Sequence, residues 1–139
     1  MRSKLLKTII SLFMIMSMMV VPVSAARGDD MVIQPYYSNV SSAQISIAFD
    51  TNNVVYCNLS LTPYSHGSGV SGIMKLFDST GSCIAIWSIS DYERPLVVEH
   101  TYQGVYGETY TVTFEGYAYS NNQTAPDRLE LSVTARCED

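Results

Sequence analysis

The segment RLELSVTARC, residues 128–137, alternates without a break: Leu129, Leu131, Val133, Ala135 and Cys137 share one parity, and Arg128, Glu130, Ser132, Thr134 and Arg136 share the other. Side chains of an extended strand point alternately to opposite faces, so this segment has one face for a core and one for water. A helix would scatter the same apolar residues around its axis. The period of two recurs from Gln44 onward and predicts seven strands, at 43–49, 54–62, 70–77, 83–90, 96–102, 109–119 and 128–137. Turn-rich pieces separate them: DTNN, PYSHGSG, DSTG, SDYERP, QGVYGE and SNNQTAPD. Strands that each bury one face must pair their sheets face to face. The expected fold is therefore all-β, a seven-stranded antiparallel sandwich of two sheets.

The first residues do not follow this period. Arg2, Lys4 and Lys7 precede the apolar run TIISLFMIMSMMVV, and Pro22 then leads into the small residues Val23, Ser24 and Ala25. A basic start, an apolar stretch and a small-x-small site are the three parts of a secretory signal. The run is shorter than the ~20 residues a membrane span needs. The expected organisation is a signal peptide over 1–25, an N-terminal tail over 26–42 and the sandwich over 43–139, with release into the extracellular space and no membrane attachment after cleavage. Cleavage after Ala26 is the near alternative. The remaining chain would carry five basic residues against 13 acidic ones, a balance of −8. Such a surface repels nucleic acid and anionic lipid, whose binding proteins need clustered Lys and Arg.

In the sixth strand Tyr110, Val112 and Phe114 alternate with Thr109, Thr111, Thr113 and Glu115, and Gly116 is expected to form a bulge ahead of Tyr117 and Tyr119. The stretch GETYTVTF resembles the start of the penultimate strand in fibronectin type III and related immunoglobulin-like domains. That resemblance implies that Tyr110 turns its hydroxyl back onto the upstream backbone, as a tyrosine corner. Over a longer span, "TNNVVYCNLSL", "IMKLFDSTGSCIAIW" and "GETYTVTF" resemble small exported single-domain proteins of unknown function from clostridia-like Gram-positive bacteria. Several of those carry a second cysteine where this chain has residues 96–98. The resemblance implies no catalytic residues.

Three cysteines in an exported chain allow one disulfide and one remaining thiol. Cys57 shares the inward parity of Val55, Leu59 and Leu61, as Cys137 shares that of Ala135. Cys57 with Cys137 is the expected pair; Cys57 with Cys83 is the alternative, and no bridge is the third case. Zinc is not expected, because no two cysteines stand two to four apart and His66 and His100 lack ligand spacing to any of them. Trp87, the single tryptophan, lies on an alternating strand and is expected in the core.

Several motifs invite functional readings and fail on context. GSGVSG, residues 67–72, fits G-x-G-x-x-G, but a strand follows it where a dinucleotide loop must open a helix; it reads as a loop between strands. Arg27-Gly28-Asp29 matches an integrin-binding tripeptide, and three residues recur by chance. Asn39, Asn58 and Asn122 begin N-x-S/T sequons. No nucleophile, histidine and carboxylate fall together by spacing, and no cofactor motif is present. Ten tyrosines remain, of which Tyr64, Tyr92, Tyr106, Tyr117 and Tyr119 fall in or beside loops. Tyrosine offers a large, stiff, amphipathic contact area at low entropic cost. The leading expectation is a non-catalytic recognition or adhesion module binding extracellular glycan or protein. The alternatives are a structural, envelope-associated secreted protein without a small ligand and, third, a secreted hydrolase.

Overall fold

A computed structural model describes residues 30–33, 37–91, 95–122 and 125–138. The signal segment, the Arg27-Gly28-Asp29 tripeptide and Tyr92 lie outside these residues. Eight strands follow one another: β1 (Asp30–Ile33), β2 (Val40–Phe49), β3 (Val54–Pro63), β4 (Gly67–Phe77), β5 (Cys83–Asp91), β6 (Leu96–Gln103), β7 (Thr109–Ser120) and β8 (Asp127–Arg136). They form two four-stranded sheets of order β1-β2-β3-β6 and β5-β4-β7-β8, antiparallel at every pairing. Strands β2 to β8 are the seven read from the sequence, and they divide into β2-β3-β6 and β5-β4-β7-β8, the two facing sheets of a sandwich. Strand β1 is an addition: it pairs with β2 inside the stretch expected to be a tail. The glycine-rich stretch 67–72 is also not a loop, since β4 begins at Gly67 and pairs with β7 from there on.

The core lies between the sheets and follows the parity of the sequence. Ala43, Ile45 and Ile47 of β2, with Val55, Cys57, Leu59 and Leu61 of β3, face Met74 and Leu76 of β4, Val112 and Phe114 of β7, and Leu129 and Leu131 of β8. Trp87 is half-buried at the margin of this core and stacks on the imidazole of His100, with ring centroids 4.7 Å apart and planes within 1°. It belongs to β5 and His100 to β6, edge strands of different sheets, so the stack closes that side of the sandwich.

The bulge expected at Gly116 is absent. Gly116 pairs directly with Gly72, and the β4/β7 register runs unbroken through Tyr117 opposite Ser71. The glycines serve close packing instead: a Cβ at Gly116 would stand 2.3 Å from the Ser71 carbonyl oxygen and 2.8 Å from the Phe114 ring, and one at Gly72 would stand 2.7 Å from the same ring. Phe114 thus occupies the volume that two side chains would otherwise fill, a way of covering glycine in a sheet. Because no extra residue enters β7, Tyr117 and Tyr119 keep the outward parity of Glu115.

The expected Cys57–Cys137 disulfide is not present, nor is the Cys57–Cys83 alternative; all three residues are thiols. Parity placed Cys57 and Cys137 correctly on the inner side, and both are buried. Depth along the strand separates them. Cys57 is in register with Ile47 and His100, whereas the Cys137 sulfur lies 3.6 Å from Asn53 Oδ1, in the turn before β3. Four residues of extended chain at about 3.3 Å each exceed the ~7 Å Cα limit for a bridge. Cys83 is exposed on β5.

At the same end of the sandwich Tyr110 is buried, and its hydroxyl accepts the amide hydrogen of Val105, five residues upstream, at 2.9 Å. This is the contact a tyrosine corner makes. Burial pushes the phenol pKa up, the Val105 hydrogen bond opposes that shift, and nearby Glu108 adds to it. Tyr110→Phe keeps the ring and removes the acceptor. Urea unfolding should show a loss of about 1–2 kcal/mol, and an unchanged midpoint would show that water replaces the hydroxyl at no cost.

Candidate functional site

Where the outward parity of β4, β7 and β8 meets solvent, the register sets the neighbours. Tyr117 stands between Ser71 of β4 and Arg128 of β8, and Glu115 stands between Ile73 and Glu130. Ile73 is therefore diagonal to Tyr117, within reach of an aromatic ring. Tyr119 follows two residues on from Tyr117 on the same face, and its hydroxyl is 3.1 Å from Ser71 Oγ. Tyr117, Tyr119 and Ile73 are 45, 40 and 43 % exposed, so three large apolar side chains form one surface in the middle of a sheet. A shallow groove of about 290 Å³ lies among Ser71, Ile73, Glu115, Tyr117 and Arg128, with the paired Gly72 and Gly116 at its floor. The Cβ directions of both glycines are toward the Phe114 ring on the inner face, so on this outer face the two residues contribute backbone alone.

The groove is polar at its rim. Arg128 forms an ion pair with Glu130. Glu115 and Glu130 are direct cross-strand partners, a like-charge placement that costs stability and that Arg128 offsets. The surface thus combines flat rings, a hydroxyl, a guanidinium and carboxylates, the groups that stack on and hydrogen-bond to a polar ligand.

Of the five tyrosines singled out from the sequence, the structure brings Tyr117 and Tyr119 together. Tyr64 stacks on His66 at 5.8 Å and 12°. The carbonyl of His66 accepts the amide of Asn121, which sets that stack at the end of β7 from which Tyr119 projects. Tyr106 is exposed at the opposite end, in the β6–β7 connection. Ile73, Ser71, Glu115 and Arg128 were missed. Their signal was available only through pairing register, which joins residues 71–73, 115–119 and 128–130 across the sheet.

The two histidines have structural contacts: His66 Nε2 lies 2.8 Å from the Ser38 carbonyl, and His100 stacks on Trp87. Among the described residues no group of three His, Cys, Asp or Glu side chains is placed to hold a metal. Asn39 is fully buried, donating from Nδ2 to the carbonyls of Ala118 and Ala125, so its sequon is closed in the folded chain. No protein-family model matches this chain, and neither the curated proteins nor the solved structures give a match.

Proposed function

We propose that the protein is a secreted, non-catalytic recognition module whose binding surface is the outer face of the β5-β4-β7-β8 sheet, and that the ligand is an extracellular glycan, with an extracellular protein as the other ligand class. The observation that carries this reading is the adjacent placement of Tyr117, Tyr119 and Ile73 beside a groove floored by two glycines. Sugar rings present apolar C–H faces and polar edges. Tyr117 and Tyr119 suit the faces, and Ser71, Glu115 and Arg128 suit the hydroxyls. The groove is open and shallow, which fits a chain-like ligand lying across the sheet better than a small molecule enclosed in a cavity. Export rests on the N-terminal signal pattern.

The test is binding of the purified protein to glycan and extracellular-protein arrays, followed by titration of the ligand found. Tyr117→Ala and Tyr119→Ala should each weaken binding by about tenfold or more, roughly the loss of one stacked ring. Tyr106→Ala, at the other end of the molecule, should leave affinity unchanged. A ligand whose binding survives both β7 substitutions would move the site elsewhere.

A further inference from the structure

Each sheet has two lateral edges, formed by β1 and β6 in one and by β5 and β8 in the other. An edge strand presents unpaired backbone N–H and C=O groups, and charges along it discourage pairing with another chain. Strand β8 carries Arg128, Glu130 and Arg136, β6 carries Glu99, and β1 starts at Asp30. Strand β5 differs. Its one charge, Asp91, closes the strand, and its bulge, at Ile84, lies near the start; the stretch from Ala85 to Ser90 between them has neither a charge, a proline nor a break in register, and Ile86 on its outer side is 61 % exposed. No described strand hydrogen-bonds to its far side.

We infer that β5 is a self-association edge, to which a second copy of the chain adds its own β5 in antiparallel fashion about a two-fold axis. The occupant follows from charge and length. The chain is acidic, with a formal net charge of −5, so two copies approach at least cost where neither carries charge. An extended segment that is uncharged from Cys83 to Ser90 and has an open edge is present in the molecule as β5 itself. A two-fold centred on Ile86 sets Ile86 against Ile86 and Ala85 against Trp87, so no charge meets a charge at the centre of the pairing. The β6 edge cannot do this in the two registers that centre it: one sets Glu99 against Glu99, and the other sets the two His100 side chains together. Pairing at β5 joins two four-stranded sheets into one and continues their outer faces on the same side. The proposal does not depend on a ligand binding that face.

Analytical ultracentrifugation of the purified protein from about 1 to 100 µM, with reductant present, tests it. The expected result is a monomer–dimer equilibrium. Ile86→Lys, which supplies the charge the edge lacks, should raise the dissociation constant at least about tenfold. Val97→Lys, at a 69 % exposed position on the β6 edge, should leave it unchanged. Amide exchange adds a measurement on the unmodified protein: β5 amides should exchange more slowly as concentration rises. A protein that stays monomeric throughout, a dimer indifferent to Ile86→Lys but broken by Val97→Lys, or β5 exchange independent of concentration overturns the inference. Loss of the dimer in reductant would do the same, because the pairing is one of backbone edges and includes no disulfide.

Discussion

Phe114→Ala is expected to lower the unfolding free energy by about 3–5 kcal/mol, a large part of the ~5–15 kcal/mol of a typical domain. The ring is fully buried at the centre of β7, where it packs over the glycine pair as well as against the apolar side chains of the other sheet. Truncation therefore leaves a cavity whose floor is backbone, with no neighbouring side chain on that floor to collapse into it. The effect should lie toward the upper end of the range. The reciprocal change is as informative. Gly116→Ala places a methyl group 2.3 Å from the Ser71 carbonyl oxygen and 2.8 Å from Gly72 Cα, so the ladder between β4 and β7 must shift to admit it. A cost of about 3 kcal/mol or more is expected, in the range of severe overpacking. Adding Phe114→Leu to Gly116→Ala should not restore stability, because the closest contact is with backbone and not with the ring. Urea denaturation of the three variants decides this. A double variant as stable as Phe114→Leu alone would show that the ring, and not the Ser71 carbonyl, excludes the methyl group.

This pair of glycines also marks where the sequence stops being sufficient. Strict alternation made strands β3 and β8 legible residue by residue, since each needs only its own parity to declare a buried face. The division into two sheets followed from the number and spacing of such strands. Gly116 was read as a bulge because a glycine within a strand has two physical uses, an extra residue or a close approach. Only the identity of the residue opposite separates them. That residue is Gly72, 44 positions away in the chain. The candidate site has the same character. Tyr117 and Tyr119 are two apart on one strand and could be singled out together, but Ile73 and Arg128 join them through register alone, and Tyr64 and Tyr106 look equivalent to them in sequence while standing at opposite ends of the molecule. Likewise, parity put Cys57 and Cys137 on one side of the sheet and was silent about their level along it.

That difference of level leads to the second large effect, which concerns Cys57. Its thiol is fully buried between the sheets, and burial pushes its pKa from an ordinary 9.0 to about 12. In the folded protein at pH 8 the thiolate, the reactive form, is depleted about a thousandfold relative to the unfolded chain, and reagents cannot reach it. Alkylation of the native protein should label Cys83 alone, while Cys57 and Cys137 should react only after unfolding, with no linked peptide recovered without reductant. The same shift acts on stability. A folded-state pKa above the unfolded one means that the folded chain keeps a proton the unfolded chain releases. The contribution is therefore fully present below about pH 9 and is lost as the pH rises toward 12, amounting to on the order of 4 kcal/mol over the whole interval. Tyr110, whose pKa burial also raises, adds its own loss from about pH 10 upward. The Cys57 part is best isolated as a slope, since Cys57→Ala changes stability at every pH by removing the sulfur from the core. Between about pH 9.5 and 10.5 the wild-type protein should lose about 1.2 kcal/mol more than Cys57→Ala does. Parallel curves for the two proteins, or native-state labelling of Cys57 as fast as that of Cys83, would show that the thiol is not sealed between the sheets.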